Sequence, residues 1–281
     1  MIDFQNVTKR YGSTAAIDNV SMKISDNAIY CLLGRNGAGK TTFMKLLAGH
    51  IRAAEGRIAV DGHAVSPGHM PDSVNFVENN STQFNTKTAD LIDMAASLQD
   101  CFDKAFALEM VKKFDLDKRK KYKQLSFGMK TMLTTILTLA NNSRVILLDE
   151  PTLGFDAIMR DQFNTLLLES YQAHPRIIIV STHLIDEIAK VTERLIIIDN
   201  GGILLETDLA DIDEHAYTLT GPAAIVTPLL SRLNCIGKTT IGGMAAACIY
   251  GDRITPPEGV SLDRLALQDF FINIVGGHKH E

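Results

Sequence analysis

The chain has 281 residues, of which 46% are hydrophobic and 22% charged, and these proportions are typical of a globular protein with a sizeable core. Its net charge of −5 argues against a dedicated nucleic-acid-binding protein, so we expect no nucleic-acid partner. No signal peptide is recognisable, and no apolar run approaches the roughly 20 residues of a membrane-spanning helix, so we expect any membrane role to come through a partner.

The first predicted elements are two strands, over residues 2–7 and 17–25, in which apolar and polar side chains alternate. We expect these strands to pair in antiparallel fashion. Tyr11 lies between them, and the sequence around it leaves two interpretations open. Its ring either stacks on an adenine base or packs at a turn.

A glycine-rich loop follows the next strand. Residues 29–33 are apolar or small and predict a strand that is buried on both faces. Residues 34–41 (GRNGAGKT) then match the pattern G-x-x-x-x-G-K-[ST] in full, and an apolar helical pattern begins after them. Backbone N–H groups in such a loop surround a phosphate, the lysine reaches the β- and γ-phosphates, and the threonine hydroxyl binds Mg²⁺. The predicted nucleotide-binding residues here are Asn36, Gly37, Ala38, Gly39, Lys40, Thr41 and Thr42.

The next segment predicts short strands followed by an inserted group of helices. The helix after Lys40 is expected to end near Gly49, and residues 57–61 and 74–77 are expected to be strands. From residue 88 to residue 140 the periodicity is helical, with Leu91, Ile92, Ala95 and Leu98 on one face. The basic run at residues 118–123 predicts a solvated loop, with attraction to anionic lipid head groups as the alternative.

A further predicted helix begins after Ser126. This serine is a suitable N-cap, and the exposed N–H groups at a helix start, which here include that of Gly128, attract anions. The short run GKTT at residues 237–240 only partly matches the phosphate-binding pattern, because Arg232 stands where its leading glycine is required.

Two carboxylates follow the apolar strand over residues 145–148. Ligands of open α/β sheets bind at the carboxyl edge of the strands, where Asp149 and Glu150 are expected to lie. We expect Asp149 to bind Mg²⁺ and Glu150 to polarise the water that attacks the γ-phosphate. The alternative is that both residues cap a helix. His183 follows the next strand at the same edge and is a candidate to contact the γ-phosphate and hold Glu150 and the water in line.

The sequence pattern in the last part of the chain predicts a second, smaller region. A hairpin is expected over residues 195–198 and 203–205, and strands alternating with helices before it predict a mainly parallel sheet. Beyond residue 208 the pattern predicts strands at 216–220, 235–240 and 245–250 and an amphipathic helix over 261–275. This appendage either supports packing or dimerisation, or has a regulatory role.

As a set, these motifs resemble the ATP-binding subunits of ABC transporters over roughly residues 1–207. Tyr11 matches the adenine-stacking aromatic, residues 34–42 the Walker A loop, and residues 145–150 the Walker B strand with its catalytic glutamate. Residues 151–156 match the D-loop, and His183 the switch histidine. Residues 125–129 (LSFGM) match the signature loop LSGGQ, which carries Ser126 and Gly128, with phenylalanine and methionine in place of a glycine and the glutamine.

The resemblance implies an α/β fold: a P-loop ABC ATPase core with a mixed sheet, an inserted helical subdomain at about residues 86–142, and a small C-terminal α+β appendage at 208–281. It implies ATP and Mg²⁺ as cofactors, with Glu150 and His183 catalytic and with Thr41 and Asp149 at the metal. In the implied head-to-tail dimer, one subunit's signature loop caps ATP held by the other. Aligning residues 74–77 with the strand before the Q-loop puts Glu78, with a charge in place of an amide, where glutamine is usual, and so makes it a further metal-site residue, with the shorter Asn79 as the alternative.

Residues 122–130 and 151–157 look most like those of bacterial exporters of antimicrobial or amphipathic peptides, of the bacitracin-resistance and phenol-soluble-modulin types. This similarity implies a separate integral-membrane transporter subunit, a second ATP-binding subunit in a homo- or heterodimer, and a location at the cytoplasmic face of the cell membrane. An importer ATPase and a soluble nucleotide-switched binding module are the alternatives.

The surface around residues 79–85 and the helices after residue 88 is expected to receive a short cytoplasmic helix from the membrane subunit. Phe84, Leu91 and Met94 are candidate apolar anchors. Core packing of Leu91 and Met94 is the alternative.

Overall fold

The computed structural model describes residues 1–78 and 84–277, which belong to two compact units, residues 1–205 and 206–281. In chain order the first unit contains β1 (Ile2–Tyr11), β2 (Thr14–Ile24), β3 (Ile29–Leu33), α1 (Lys40–Leu47), β4 (Glu55–Val60), β5 (His63–Ala64), β6 (Val74–Glu78), α2 (Thr88–Leu98), α3 (Lys104–Lys113), α4 (Phe127–Ala140), β7 (Val145–Asp149), α5 (Ala157–Ala173), β8 (Ile177–Ser181), α6 (Ile185–Ile188), β9 (Arg194–Asp199) and the start of β10 (Gly202–Asp208), whose last three residues belong to the second unit. Among the described residues, no helix combines the length and hydropathy that a membrane crossing requires.

The central sheet of the first unit has the strand order β10-β9-β3-β8-β7-β6. The pairs β3–β8, β3–β9, β6–β7 and β7–β8 are parallel, and every residue of β3, β7 and β8 is buried. A continuously apolar strand is the pattern of a parallel sheet covered on both faces. β9 and β10 are joined by Asn200 and Gly201, both at positive φ as a two-residue hairpin turn requires. The predicted α/β class is confirmed.

A second sheet in this unit has the order β2-β1-β4-β5 and is antiparallel throughout. Its apolar side chains join one hydrophobic core with those of α1 and the central sheet. Phe4 of β1, for example, stacks on Phe43 of α1 with ring centroids 4.6 Å apart. This packing fixes α1 against β1 and thereby fixes the glycine-rich loop that precedes α1.

The helices predicted between residues 88 and 140 are α2, α3 and α4, with Ile92, Met110 and Ile136 buried in this part of the fold. Leu98, which the pattern places on the apolar face of α2, is 78% exposed. It is the last residue of α2, and Gln99 already has an extended backbone, so the chain leaves the helix before Leu98 meets a neighbour.

The second unit contains α7 (Leu209–His215), β11 (Ala216–Pro222), α8 (Ala223–Leu229), β12 (Cys235–Ile241), β13 (Met244–Tyr250), β14 (Ser261–Arg264) and α9 (Leu267–Gly277), and its antiparallel sheet has the order β12-β13-β11-β14. The helix predicted over residues 261–275 therefore begins too early, and that boundary is wrong. Residues 261–264 form a strand paired with β11, because Leu262 packs against the core of this unit while its neighbours are exposed, which is the period of a strand.

Candidate functional site

The glycine-rich loop shapes a cleft of about 310 Å³, which lies between α1 and the ends of β1 and β7 and is lined by Tyr11, Ala16, Arg35, Asn36, Gly37, Gly39, Lys40, Thr41, Thr42, Asp149 and Glu150. Gly39 has φ +113°, and a Cβ atom there would lie 2.4 Å from the carbonyl oxygen of Ala16. Only glycine fits this position. Because a glycine offers no side-chain cap, the first N–H groups of α1 remain available to an anion in the cleft.

Lys40 is the buried cation of the cleft. It is 7% exposed, and its Nζ donates to the carbonyl oxygens of Gly34 at 2.7 Å and Arg35 at 3.4 Å. Ala38 closes the same turn through an N–H bond of 3.0 Å to the Arg35 oxygen. The loop therefore curls around its own lysine, which places a positive charge beside the N terminus of α1, where phosphate oxygens bind.

Thr41 and Asp149 meet across the cleft. Thr41 Oγ1 donates to Asp149 Oδ2 at 2.7 Å, and the other carboxylate oxygen accepts from Ser181 Oγ. A hydroxyl and a carboxylate are the hard oxygen ligands that Mg²⁺ prefers, so this pair fits the implied metal. Within the described residues, no group of three or more His, Cys, Asp or Glu side chains could hold a metal, so the fit rests on these two oxygens.

Glu150 is held by two neighbours from β8 and the loop after it. Its backbone has φ +47°, an uncommon value for a residue with a side chain, and its N–H lies 3.2 Å from the Ser181 carbonyl oxygen and 3.0 Å from Ser181 Oγ. Glu150 Oε2 lies 2.8 Å from His183 Nδ1. The structure thus brings the two predicted catalytic residues together. Ser181, which orients both Asp149 and Glu150, had no signal in the sequence.

Tyr11 is the last residue of β1 and also lines the cleft. Its ring is 52% exposed, and Lys9 Nζ lies 5.2 Å from the ring centroid. An exposed ring face beside a cation suits stacking on a base more than packing in a turn.

Ser126 and Gly128 lie away from the described lining of that cleft, at the start of α4. Ser126 Oγ accepts from the Met129 N–H at 3.2 Å, as predicted for an N-cap. A Cβ atom at Gly128 would lie 2.9 Å from Met159 Sδ, and one at Gly154 would lie 2.6 Å from the ring of Phe127. Gly154, at φ +80°, is therefore required where the D-loop segment packs on Phe127, whereas at Gly128 the close atom is the flexible tip of Met159 on α5.

Glu78, the further residue expected at the metal site, contacts α1. Its Oε1 forms an ion pair of 2.6 Å with Lys45 Nζ on α1, because the ammonium group draws the carboxylate toward that helix. Glu78 and Asp149 remain neighbours in the pairing of β6 with β7. Asn79, the alternative for this role, lies outside the described residues.

The three candidate docking residues have different environments. Leu91 is 7% exposed and belongs to the core, whereas Met94 and Phe84 are 50% and 44% exposed. The Phe84 ring meets Tyr122 edge-on, with centroids 5.6 Å apart. Phe84 and Met94 therefore fit an anchoring surface better than Leu91 does. The rest of that surface, residues 79–83, lies outside the described residues.

Comparison with known proteins matches residues 17–153 to the model of a family described as ABC transporter. The chain is 29% identical to the ABC transporter ATP-binding protein YtrB of Bacillus subtilis, over 76% of this chain and 73% of that protein. It is 30% identical to the lantibiotic transport ATP-binding protein SrtF of Streptococcus pyogenes, over 74% of this chain and 91% of SrtF. It is also 28% identical to a probable sulfate/thiosulfate import ATP-binding protein, CysA, of Chlorella vulgaris, over 75% and 92%.

Among solved structures, the chain resembles a dimeric ATP-binding cassette in a post-hydrolysis state bound to ADP and Pi. The TM-score is 0.64 at 23% identity, and the match covers 74% of this chain and 99% of that one. At this identity the likeness shows the fold.

Proposed function

Because the chain belongs to the family of ABC transporter ATP-binding proteins, we propose that it powers export of amphipathic or antimicrobial peptides through a separate membrane subunit. It is an ATPase of that family. The cargo assignment is carried by one observation, the 30% identity to a lantibiotic transport protein along 91% of that protein's length. It is supported by the segments around Ser126 and Gly154, whose sequences resemble those of peptide exporters.

The cleft geometry supports a separate role in ATP hydrolysis for each group of residues that lines it. The loop amides of residues 36–42 and the Lys40 ammonium bind the phosphates, and the Tyr11 ring stacks on the adenine. Thr41 and Asp149 would hold Mg²⁺, which would supply positive charge to neutralise the phosphates. The Glu150 carboxylate accepts the proton of the attacking water.

Ser181 and His183 would support that base without entering the proton transfer. Ser181 fixes the Glu150 backbone through its carbonyl and hydroxyl oxygens, and His183 Nδ1 holds one carboxylate oxygen at 2.8 Å. Holding the base in one orientation lowers the entropy cost of reaching the transition state.

The signature loop supports a head-to-tail dimer in which Ser126 and Gly128 of one subunit cap ATP held by another. Both residues lie at the N terminus of the 14-residue α4, where backbone N–H groups favour an anion, and Ser126 is exposed. The second subunit is either a copy of this chain or a related one. In this proposal residues 1–207 are the nucleotide-binding domain, residues 208–281 are an appendage, and the complex lies at the cytoplasmic face of the membrane.

Two alternatives remain, each tied to an observation. Import is favoured by the 28% identity to a protein named for sulfate and thiosulfate import. A soluble nucleotide-switched binding module would need no membrane subunit, but the net charge of −5 disfavours DNA or ribosome binding.

The test is to isolate the full chain, tagged and carrying Glu150→Gln, with its partners from detergent-solubilised membranes. The membrane subunit identified by mass spectrometry is then reconstituted with the unmodified chain in proteoliposomes. We expect a cationic amphipathic peptide to stimulate ATP hydrolysis and to be moved away from the side on which the ATPase lies. ATP-dependent sulfate movement toward that side would establish import instead, and recovery of ribosomes without a membrane subunit would establish a soluble module.

A further inference from the structure

Helix α1, which follows the glycine-rich loop, contains a second lysine that has no role in the site described so far. Lys45 lies five residues after Lys40 in α1, and its Nζ is 2.6 Å from Glu78 Oε1. The two side chains are only 28% and 30% exposed, so water screens the pair less than it screens most surface ion pairs.

Glu78 lies close to the carboxylate that is proposed to hold the metal. It ends β6, and its backbone pairs in register with Asp149, which ends β7. Glu78 and Asp149 also line a common cavity, together with the ammonium-bearing Lys130 of α4. Because parallel strands end at the same edge of the sheet, the side chains at their ends lie near the same ligand-binding region.

Lys45 is the cation that forms an ion pair with Glu78 at this edge. Glu78, Asp149 and Glu150 supply three carboxylates, and the basic residues near them are Lys40 and Lys45 of α1, Arg35 of the glycine-rich loop and Lys130 of α4. Free ATP carries several negative charges, so an uncompensated carboxylate beside the phosphate end of the cleft would repel it. In this chain the acidic residue at the end of β6 and a basic residue in the last turn of α1 occur as a matched pair.

We propose that Lys45 is a positioning and charge-compensating residue of the nucleotide site. It holds the Glu78 carboxylate against α1 and cancels its charge, so that Asp149 alone acts as the metal-binding carboxylate at the ends of β6 and β7. This inference rests on the proposed binding of Mg-ATP in the cleft. It assigns a role to an acidic residue that sequence reasoning expected to contact the metal directly.

The alternative role for the pair is mechanical, since an ion pair between α1 and β6 also fastens these elements together. The two roles predict opposite signs for one substitution. If charge matters, Glu78→Gln removes a negative charge and tightens ATP binding, while Lys45→Met weakens it. If only fastening matters, both substitutions break the same contact and weaken binding alike.

The experiment measures equilibrium binding of a fluorescent ATP analogue to the full chain in a Glu150→Gln background, in which hydrolysis is expected to be slow. Lys45→Met, Glu78→Gln, the double variant and Lys45→Arg are each compared in EDTA and in excess Mg²⁺. For Lys45→Met in EDTA we expect roughly 3- to 10-fold weaker binding, from the Coulomb energy of one screened charge. The double variant and Lys45→Arg should return to the background affinity.

The magnesium dependence separates the two roles further. Free ATP carries about twice the negative charge of its magnesium complex, so a charge effect is larger in EDTA than in Mg²⁺. A fastening effect has the same size in both buffers. Lys113→Met is the control, because it removes a somewhat more exposed ion pair between two other elements, that with Glu169 between α3 and α5, and should leave binding unchanged.

Three results would overturn the inference. Lys45→Met could bind the analogue as tightly as the background does, the double variant could bind as weakly as Lys45→Met, or Lys45→Met could lose the same affinity in both buffers. The proposed function fails separately, if the Glu150→Gln background itself binds no ATP analogue in Mg²⁺.

Discussion

The central sheet of the first unit and the sheet of the second unit bury their strands in different ways. In β7 all five residues are buried, whereas in β13 buried residues alternate with more exposed ones. Parallel strands are covered on both faces and leave only their ends for chemistry, while antiparallel strands keep one face available to solvent. Reactive polar groups therefore concentrate at strand ends in the first unit.

The polar groups of the two units also differ in what they bond. Asp149 and Glu150 line a cleft. In the second unit, Asp211 Oδ2 accepts from the Tyr250 hydroxyl at 2.5 Å and from Thr207 Oγ1 at 3.2 Å. The Tyr250 hydrogen bond holds the pKa of Asp211 below its usual value, and burial is the main cause that raises the pKa of Tyr250. In this second cluster the polar side chains bond one another.

The largest predicted effect is on ATP hydrolysis, and it distinguishes Glu150 in the cleft from Asp211 in the second unit. Glu150→Gln keeps the size of the side chain but removes the proton acceptor, so we expect ATP hydrolysis to slow by roughly 10²–10⁴-fold, with ATP binding retained. Asp211→Asn, the matched change in the second unit, should leave the hydrolysis rate of the soluble chain within about 2-fold, because it lies in the unit without the cleft.

Steady-state phosphate release, with ATP binding measured in parallel, provides the test. Hydrolysis near the unmodified rate in Glu150→Gln would remove Glu150 from the role of base. A slow Asp211→Asn variant would show that the second unit contributes to the chemistry, and the contrast between the units would no longer hold.

The next prediction concerns stability and tests the burial patterns directly. Ile146 and Leu147 are adjacent in β7 and both fully buried, so Ile146→Ala and Leu147→Ala should each cost about 2–5 kcal/mol. In β11, Leu219 is fully buried while Thr220 is only partly so, and Leu219→Ala should be costly while Thr220→Ala costs about 0.5 kcal/mol.

Urea unfolding followed by hydrogen exchange and mass spectrometry reads each unit from its own peptides, which avoids a two-state assumption for the whole chain. Equal costs at Leu219 and Thr220 would show that β11 is buried on both faces, as β7 is. A tolerant Ile146 would show that one face of β7 is open.

The parts of the fold that the sequence predicts correctly are those with local signals. The strand over residues 29–33 and the helix after Lys40 follow from continuous apolar runs and a complete motif, and the ABC transporter ATP-binding family that they suggested is confirmed. The sequence pattern predicts helix over β14, because its four residues continue an amphipathic pattern into α9, and only the pairing with β11 distinguishes the strand from the helix.

The parts of the site that the sequence does not predict depend on long-range contacts. Ser181 lies 32 residues from Asp149 in the chain, and Lys45 lies 33 residues from Glu78, so neither contact leaves a local pattern. The sequence predicts Glu78 at the metal because it follows the strand that precedes the Q-loop in the family, with a glutamate where glutamine is usual. The side-chain direction that turns it toward α1 follows from helix–sheet packing, which periodicity does not encode.

The smallest predicted effect is a pH dependence confined to the second unit. The pKa of Asp211 is lower in the folded protein than in an unfolded chain, so its contribution to stability is present above the unfolded pKa of about 4 and is lost as the pH falls below it. The pKa of Tyr250 is raised, so its contribution is present below about pH 10 and is lost above that. Hydrogen exchange of the β13 peptides, followed in urea from about pH 6 to pH 3, should therefore show an acid loss of stability that Asp211→Asn reduces. The β7 peptides serve as the internal control, because Asp211→Asn should leave their acid response unchanged. An acid loss of the same size in Asp211→Asn would place the responsible carboxylate elsewhere.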